Sequence, residues 1–135
     1  MIIETSALVA ILRDEPAARE CARAILGASH RRLSVAGYLE AAIVIDGSGD
    51  PVASRQLDTL LADFDIGIEP LTERQAQIAR AAYRDFGKGR GNSARLNFGD
   101  CMSYALATDL NEPLLFVGDD FSKTDVKDAL AGDRD

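Results

Sequence analysis

Apolar residues recur along this chain with two periods. Ile2-Ile3 at the start and LLFV at 114–117 near the end are short continuous apolar runs of strand length. IGIEPL at 66–71 alternates with period two, and Pro70 closes it. Between these runs the apolar residues return every three or four positions. Leu8, Val9, Ile11 and Leu12 predict a helix from an N-cap at Thr5 to about Arg13. Pro16 opens a second helix, on which Ala18, Cys21, Ala22, Ile25 and Leu26 share a face until Gly27. Residues 33–45 (LSVAGYLEAAIVI) predict a third helix, apolar nearly all round. Asp50-Pro51 is an N-cap and first-turn pair for a helix carrying Leu57, Leu60, Leu61 and Phe64. Thr72-Glu73-Arg74-Gln75 matches a capping box; its helix carries Ile78, Ala79, Ala82, Tyr83 and Phe86 and stops at Gly87. A loop rich in glycine and cations, GKGRGNSARLNFG, leads to a helix after Asp100 that buries Met102, Ala105 and Leu106. The GDD at 118–120 predicts a turn, and a weak final segment is helical at most from Thr124.

Short apolar strands separated by amphipathic helices predict an α/β fold with a mostly parallel sheet. The absence of a repeat or linker predicts one domain over residues 1–135, with a weakly structured tail from about 127. A chain of 135 residues buries a sizeable core without disulfides or zinc. No apolar run approaches the ~18 to 20 residues of a membrane span. Cys21 and Cys101 lie far apart within helical patterns and read as buried thiols. With no basic leader segment before Glu4, a cytoplasmic protein is the expectation. The net charge of −7 argues against indiscriminate nucleic-acid binding, yet Arg80, Arg84, Lys88, Arg90 and Arg95 cluster against one acid, Asp85.

The candidate chemistry is carried by carboxylates. In open α/β sheets, sites collect at the carboxyl ends of the strands. Glu4 ends the first strand, and Asp119 with Asp120 follows the LLFV strand, so these acids share an edge. Glu40 stands in an otherwise apolar helix, and Asp100 opens another. Each has a local explanation: solvation or capping for Glu4, an N-cap for Asp100, an arginine partner such as Arg31 or Arg32 for Glu40, and a turn for Asp119-Asp120. Their convergence favours a shared role, because clustered carboxylates repel unless a cation neutralises them. Oxygen donors without cysteine or histidine suit Mg²⁺ or Mn²⁺. His30, the single histidine, reads as a surface residue, which leaves no Ser-His-Asp or Cys-His mechanism. No P-loop or dinucleotide-binding glycine pattern is present. Acids with a divalent ion remain, a combination suited to hydrolysis at a phosphoryl centre.

IETSALVAIL at the start, YLEAA around Glu40, FGDC around Asp100 and the late FVGDDF together resemble the PIN-domain family. Within it they resemble the VapC toxins of VapBC toxin–antitoxin modules, as does GKGRGNSARLNFGDCMSYALA. The resemblance runs from residue 1 to about 126. It implies a three-layer α/β/α fold, a homodimer, and a Mg²⁺- or Mn²⁺-dependent endoribonuclease leaving 5′-phosphate and 3′-hydroxyl ends. By motif, Glu4, Glu40, Asp100 and Asp119 would be the catalytic acids, with Glu4 and Asp100 on the metal. Asp120 competes for the last place, and Thr5 and Ser6 would support the first acid. Arg84, Lys88 and Arg90 would hold RNA phosphates, and a VapB-like antitoxin would occupy the acidic groove. One departure matters: the first acid of the family is usually aspartate, and Glu4 adds a methylene. Two other classes compete: a phosphatase or receiver domain, and a module whose acids only recognise a basic partner. Against the first, Glu4-Thr5-Ser6 lacks the second aspartate that an aspartyl-phosphate phosphatase needs.

Overall fold

A computed structural model of the chain describes residues 1–89, 91 and 93–132. Four short strands, β1 (Ile2–Ile3), β2 (Arg32–Ser34), β3 (Gly67–Glu69) and β4 (Leu114–Leu115), form one parallel sheet in the order β3-β2-β1-β4. Helices α1 (Thr5–Leu12) and α2 (Ala18–Gly27) connect β1 to β2. Helices α3 (Val35–Asp46) and α4 (Pro51–Asp63) connect β2 to β3, and α5 (Glu73–Phe86) and α6 (Phe98–Leu110) lead back to β4.

The layering follows from the strand order. Two successive crossovers step one way across the sheet, and the third steps back past β1. Crossovers between parallel strands are right-handed, so the third pair of helices lands on the opposite face. The side chains divide accordingly. Ile2 and Leu114 pack with Ala79, Ala82, Cys101 and Leu106 on the α5–α6 face. Ile3, Leu33 and Leu115 pack with Leu8, Cys21 and Ile25 on the α1–α2 face. The registers Ile2↔Leu114 and Ile3↔Leu115 keep each pair on its own side. The result is the expected three-layer α/β/α domain. Among the described residues, no helix is long and apolar enough to cross a membrane.

Several local expectations are corrected. Residues 32–34 form β2 rather than the start of a helix, because Arg32, Leu33 and Ser34 pair with Gly67, Ile68 and Glu69 of β3. Ser34 then caps α3, its Oγ accepting from Ala36 N at 3.2 Å. The N-cap of α1 is Glu4, not Thr5. Helix α6 starts at Phe98 behind an Asn97 cap, which places Asp100 at the third helical position. Thr72 accepts from Gln75 N, but Gln75 Nε2 turns to Asp109 Oδ2 at 3.4 Å instead of closing a capping box. Among the described residues, 124–132 form turns and a bridge to Leu114 rather than a helix. Leu114 N donates to Lys127 O at 2.8 Å and Ala129 N to Leu114 O at 2.9 Å, and Leu130 is buried. Tyr104 also donates its hydroxyl to Asp125.

Candidate active site

The strand order makes β1 a topological switch point: the chain leaves it toward β2 on one side and returns to β4 on the other. Ligand crevices in open parallel sheets lie at the carboxyl ends of such strands. Glu4 follows β1 directly, and its backbone N–H donates to Leu115 O of β4 at 2.9 Å. Its side chain turns back to cap α1, with Oε2 accepting from Ser6 N at 2.8 Å. Ser6 Oγ also donates to that oxygen, and itself accepts from Val117 N at 2.9 Å. A single hydroxyl therefore links the exit of β4 to the first acid. The capping explanation of Glu4 is correct and does not exclude another role, because Oε1 stays outside these bonds.

Thr5 ties down a different element. Its Oγ1 donates to Gly37 O at 3.3 Å, pinning the first turn of α3 against the β1–α1 joint. Close approach requires Gly37, where an added Cβ would stand 3.1 Å from Leu33 Cδ1 and 3.6 Å from Thr5 Oγ1. Glu40 lies one turn further on the same face. Neither arginine reaches it: Arg31 donates to Phe64 O at 2.8 Å and Leu26 O at 3.0 Å, and Arg32 pairs with Glu69 at 3.1 Å. The Glu40 carboxylate lies instead against the backbone of Gly99, where an added Cβ would be 2.2 Å from Oε2.

Asp100 follows on α6. In a reciprocal capping box, Asn97 Oδ1 accepts from Asp100 N at 2.8 Å and Asp100 Oδ2 accepts from Asn97 N at 3.0 Å. Its Oδ1 stays outside these bonds. The two adjacent late acids differ in what they reach. Asp120 acts electrostatically on Asp100. Asp119 uses its carbonyl to build the turn, accepting from Ser122 N at 3.2 Å and Ser122 Oγ at 2.7 Å. The turn opens at Gly118, whose φ of +99° suits glycine.

The acids feel one another. Burial pushes Glu4 from an ordinary 4.5 up to about 7; the Ser6 bonds oppose this, and the Asp100 and Glu40 charges add to it. Burial likewise raises Asp100 from 3.8 to about 6, against the Asn97 bond and with the Asp120 and Glu40 charges. Glu4, Glu40, Asp100 and Asp120, from four separate parts of the chain, are thus linked by like-charge repulsion. Among the described residues, no three His, Cys, Asp or Glu side chains stand close enough to enclose an ion as they lie. The donor set, oxygen alone and excess negative charge, fits a hard divalent cation.

The predicted RNA contacts are distributed less evenly. Arg84 is exposed and pairs with Asp85 at 3.3 Å. The Lys88 backbone is held by Leu96 O at 2.9 Å and by the Tyr83 hydroxyl at 3.2 Å, which leaves its exposed side chain at the loop base. Arg90 lies outside the described residues. His30 is exposed, as expected. Sequence reasoning did not single out Gly99, nor Phe98, which is 76% exposed at the start of α6. The signal for both was their place within FGDC.

Comparison with known proteins agrees with this architecture. The PIN domain family model matches residues 1–127. Ribonuclease VapC28 of Mycobacterium tuberculosis is 58% identical over 130 residues, covering 96% of this chain and 98% of the relative. Ribonuclease VapC30 of the same organism is 46% identical over 126 residues, covering 93% and 95%. Among solved structures, M. tuberculosis VapC20, a sarcin-ricin loop cleaving toxin, superposes with a TM-score of 0.73 at 14% identity, covering 93% of this chain and 95% of that one. A toxin–antitoxin complex from Klebsiella pneumoniae superposes with a TM-score of 0.69 at 14% identity, covering 92% of each chain. On the family match and these identities, the chain belongs to the PIN-domain family, among the VapC ribonucleases.

Proposed function

We propose that this protein is a Mg²⁺- or Mn²⁺-dependent endoribonuclease toxin restrained by a cognate antitoxin. The observation that carries the reading is the mutual electrostatic influence of Glu4, Glu40, Asp100 and Asp120, which come from separate parts of the chain to the carboxyl end of the sheet. Support comes from relatives that are ribonucleases, and from a structural neighbour that is a toxin–antitoxin complex.

In this reading Asp120, not Asp119, takes the fourth place, since its charge reaches Asp100. Ser6 holds one oxygen of Glu4 and Asn97 holds one of Asp100, so each acid offers its other oxygen to the shared space. Glu4 and Asp100 would hold the ion, with Glu40 and Asp120 completing the negative field. Once bound, the ion supplies Lewis-acid activation of water and neutralises charge on the phosphoryl group. Glu4, where aspartate is usual, turns its longer side chain back to accept from Ser6 N. Arg84 and Lys88 engage flanking phosphates that the acids repel. Val35, Leu39 and Ile43, exposed at 40, 59 and 64% along one stripe of α3, supply a face for a homodimer.

The test is incubation of purified, partner-free protein with total cellular RNA, with Mg²⁺, with Mn²⁺ and with chelator. Cleavage is expected only with the cation, and Asp100→Asn abolishes it. Cleavage in chelator, or full activity in Asp100→Asn, overturns the proposal. Binding of a basic partner without any cation uptake would point to a recognition module instead.

A further inference from the structure

A groove of about 540 Å³ runs between α5 and α6, on the far side of α6 from the acids. We propose that it is a nucleobase subsite, taking an unpaired base of a single-stranded RNA whose backbone passes the acid cluster. The inference rests on the ribonuclease reading and adds to it the form of RNA that is gripped.

The groove volume lies within the ~300–1,000 Å³ range of ligand clefts. Ala79 and Met102 contribute apolar surface, the Tyr83 and Phe98 rings line it, and Arg80 and Lys88 bring positive charge to it. Phe98 is 76% exposed, more than any other large apolar side chain among the described residues. Tyr83 is held in place by the bond from its hydroxyl to Lys88 O at 3.2 Å.

Placement joins this groove to the acids. At about 100° per residue, Phe98 and Met102 share one face of α6, while Asp100 projects on nearly the opposite side. The amino-terminal end of α6 therefore separates the two. Asn97 spans it, lining the groove while its N–H holds Asp100 Oδ2. A strand crossing this end would present a phosphate to the acids and an adjacent base to Phe98.

Charge selects the occupant. Aromatic rings beside cations are the combination that binds single-stranded nucleic acid, by stacking on the rings and attraction of phosphates. The two cations stand out in a chain of net charge −7. By contrast, the exposed stripe of α3 carries no cation and suits a protein surface.

The experiment is a fluorescence anisotropy titration of a short RNA oligonucleotide of mixed sequence, single-stranded and as a duplex, in chelator to prevent cleavage. Wild type, Phe98→Ala and Phe98→Trp are compared, and their oligomeric state is checked by gel filtration. Phe98→Ala should weaken single-strand binding about 5- to 150-fold, with Trp restoring it and duplex affinity unchanged. Unaltered binding by Phe98→Ala, or equal losses for both forms of RNA, overturns the subsite. A change of oligomeric state in Phe98→Ala also overturns it, by making the groove an interface between copies. Cation-dependent cleavage by wild type, measured alongside, separates the two readings. Cleavage with unaltered Phe98→Ala binding removes the subsite alone; neither cleavage nor binding by wild type removes both.

Discussion

Gly99→Ala should separate stability from catalysis. In the present packing an added Cβ would stand 2.2 Å from Glu40 Oε2, 2.9 Å from its Cδ and 3.0 Å from Oε1. Carbon–oxygen contacts below 3 Å are not tolerated, so something must move by about 1 Å. The obstructing atoms are the end of a half-buried, flexible side chain rather than backbone, and Glu40 is what yields. Moving it costs little folding energy. Alanine also raises helix propensity over glycine by up to about 1 kcal/mol. The variant should therefore melt at or above the wild-type temperature. A 1 Å misplacement of a catalytic group, however, can lower the rate by about 100-fold. Thermal unfolding followed by circular dichroism, together with RNA cleavage rates in Mn²⁺, reads both effects. Wild-type cleavage in a folded Gly99→Ala protein would refute the placement of Glu40 in the site. A fall in melting temperature of more than a few degrees would refute the claim that the side chain gives way in place of the backbone.

Three further outcomes are expected. Ser6→Ala leaves Val117 N–H without its acceptor and removes the hydroxyl bond to Glu4 Oε2 while the backbone bond from residue 6 remains; it should lower stability by about 1 kcal/mol and weaken Mn²⁺ affinity by calorimetry, with Ser6→Thr restoring both. Asp120→Asn should lose most cleavage while Asp119→Asn keeps it, and the reverse order would reassign the fourth acid. Glu4 binds its proton more tightly in the folded protein, about 7 against 4.5, so it lowers the stability of cation-free protein as pH rises through that interval. Glu4→Gln lacks that loss, and urea unfolding in chelator should show its stability relative to wild type rising by up to about 3 kcal/mol between pH 4.5 and 7.

The acids were legible in the sequence because charged residues in apolar settings are conspicuous, and strand ends locate the crevice without coordinates. Glu4, Glu40 and Asp100 accordingly lie within reach of one another's charge, though among the described residues no three acids stand close enough to enclose an ion. What escaped was set by contacts remote in the chain. Ser6 receives Val117 N–H from a residue 111 positions away. Gly99 reads as an unremarkable helix start until Glu40, from another helix, is seen lying on it. The order of Asp119 and Asp120 depends on a turn, which carries no periodicity. Strand β2 was hidden because its three residues run straight into α3 and have no apolar pattern of their own. Their state is decided by pairing with β1 and β3.

The claim that four acids make one cation site is tested most directly by isothermal titration of Mn²⁺ into the purified, partner-free protein. The account predicts saturable uptake in wild type, little change in Asp119→Asn, and loss in Glu4→Gln and Asp100→Asn while both remain folded. Absence of saturable uptake by wild type, or wild-type affinity in Asp100→Asn, would contradict it.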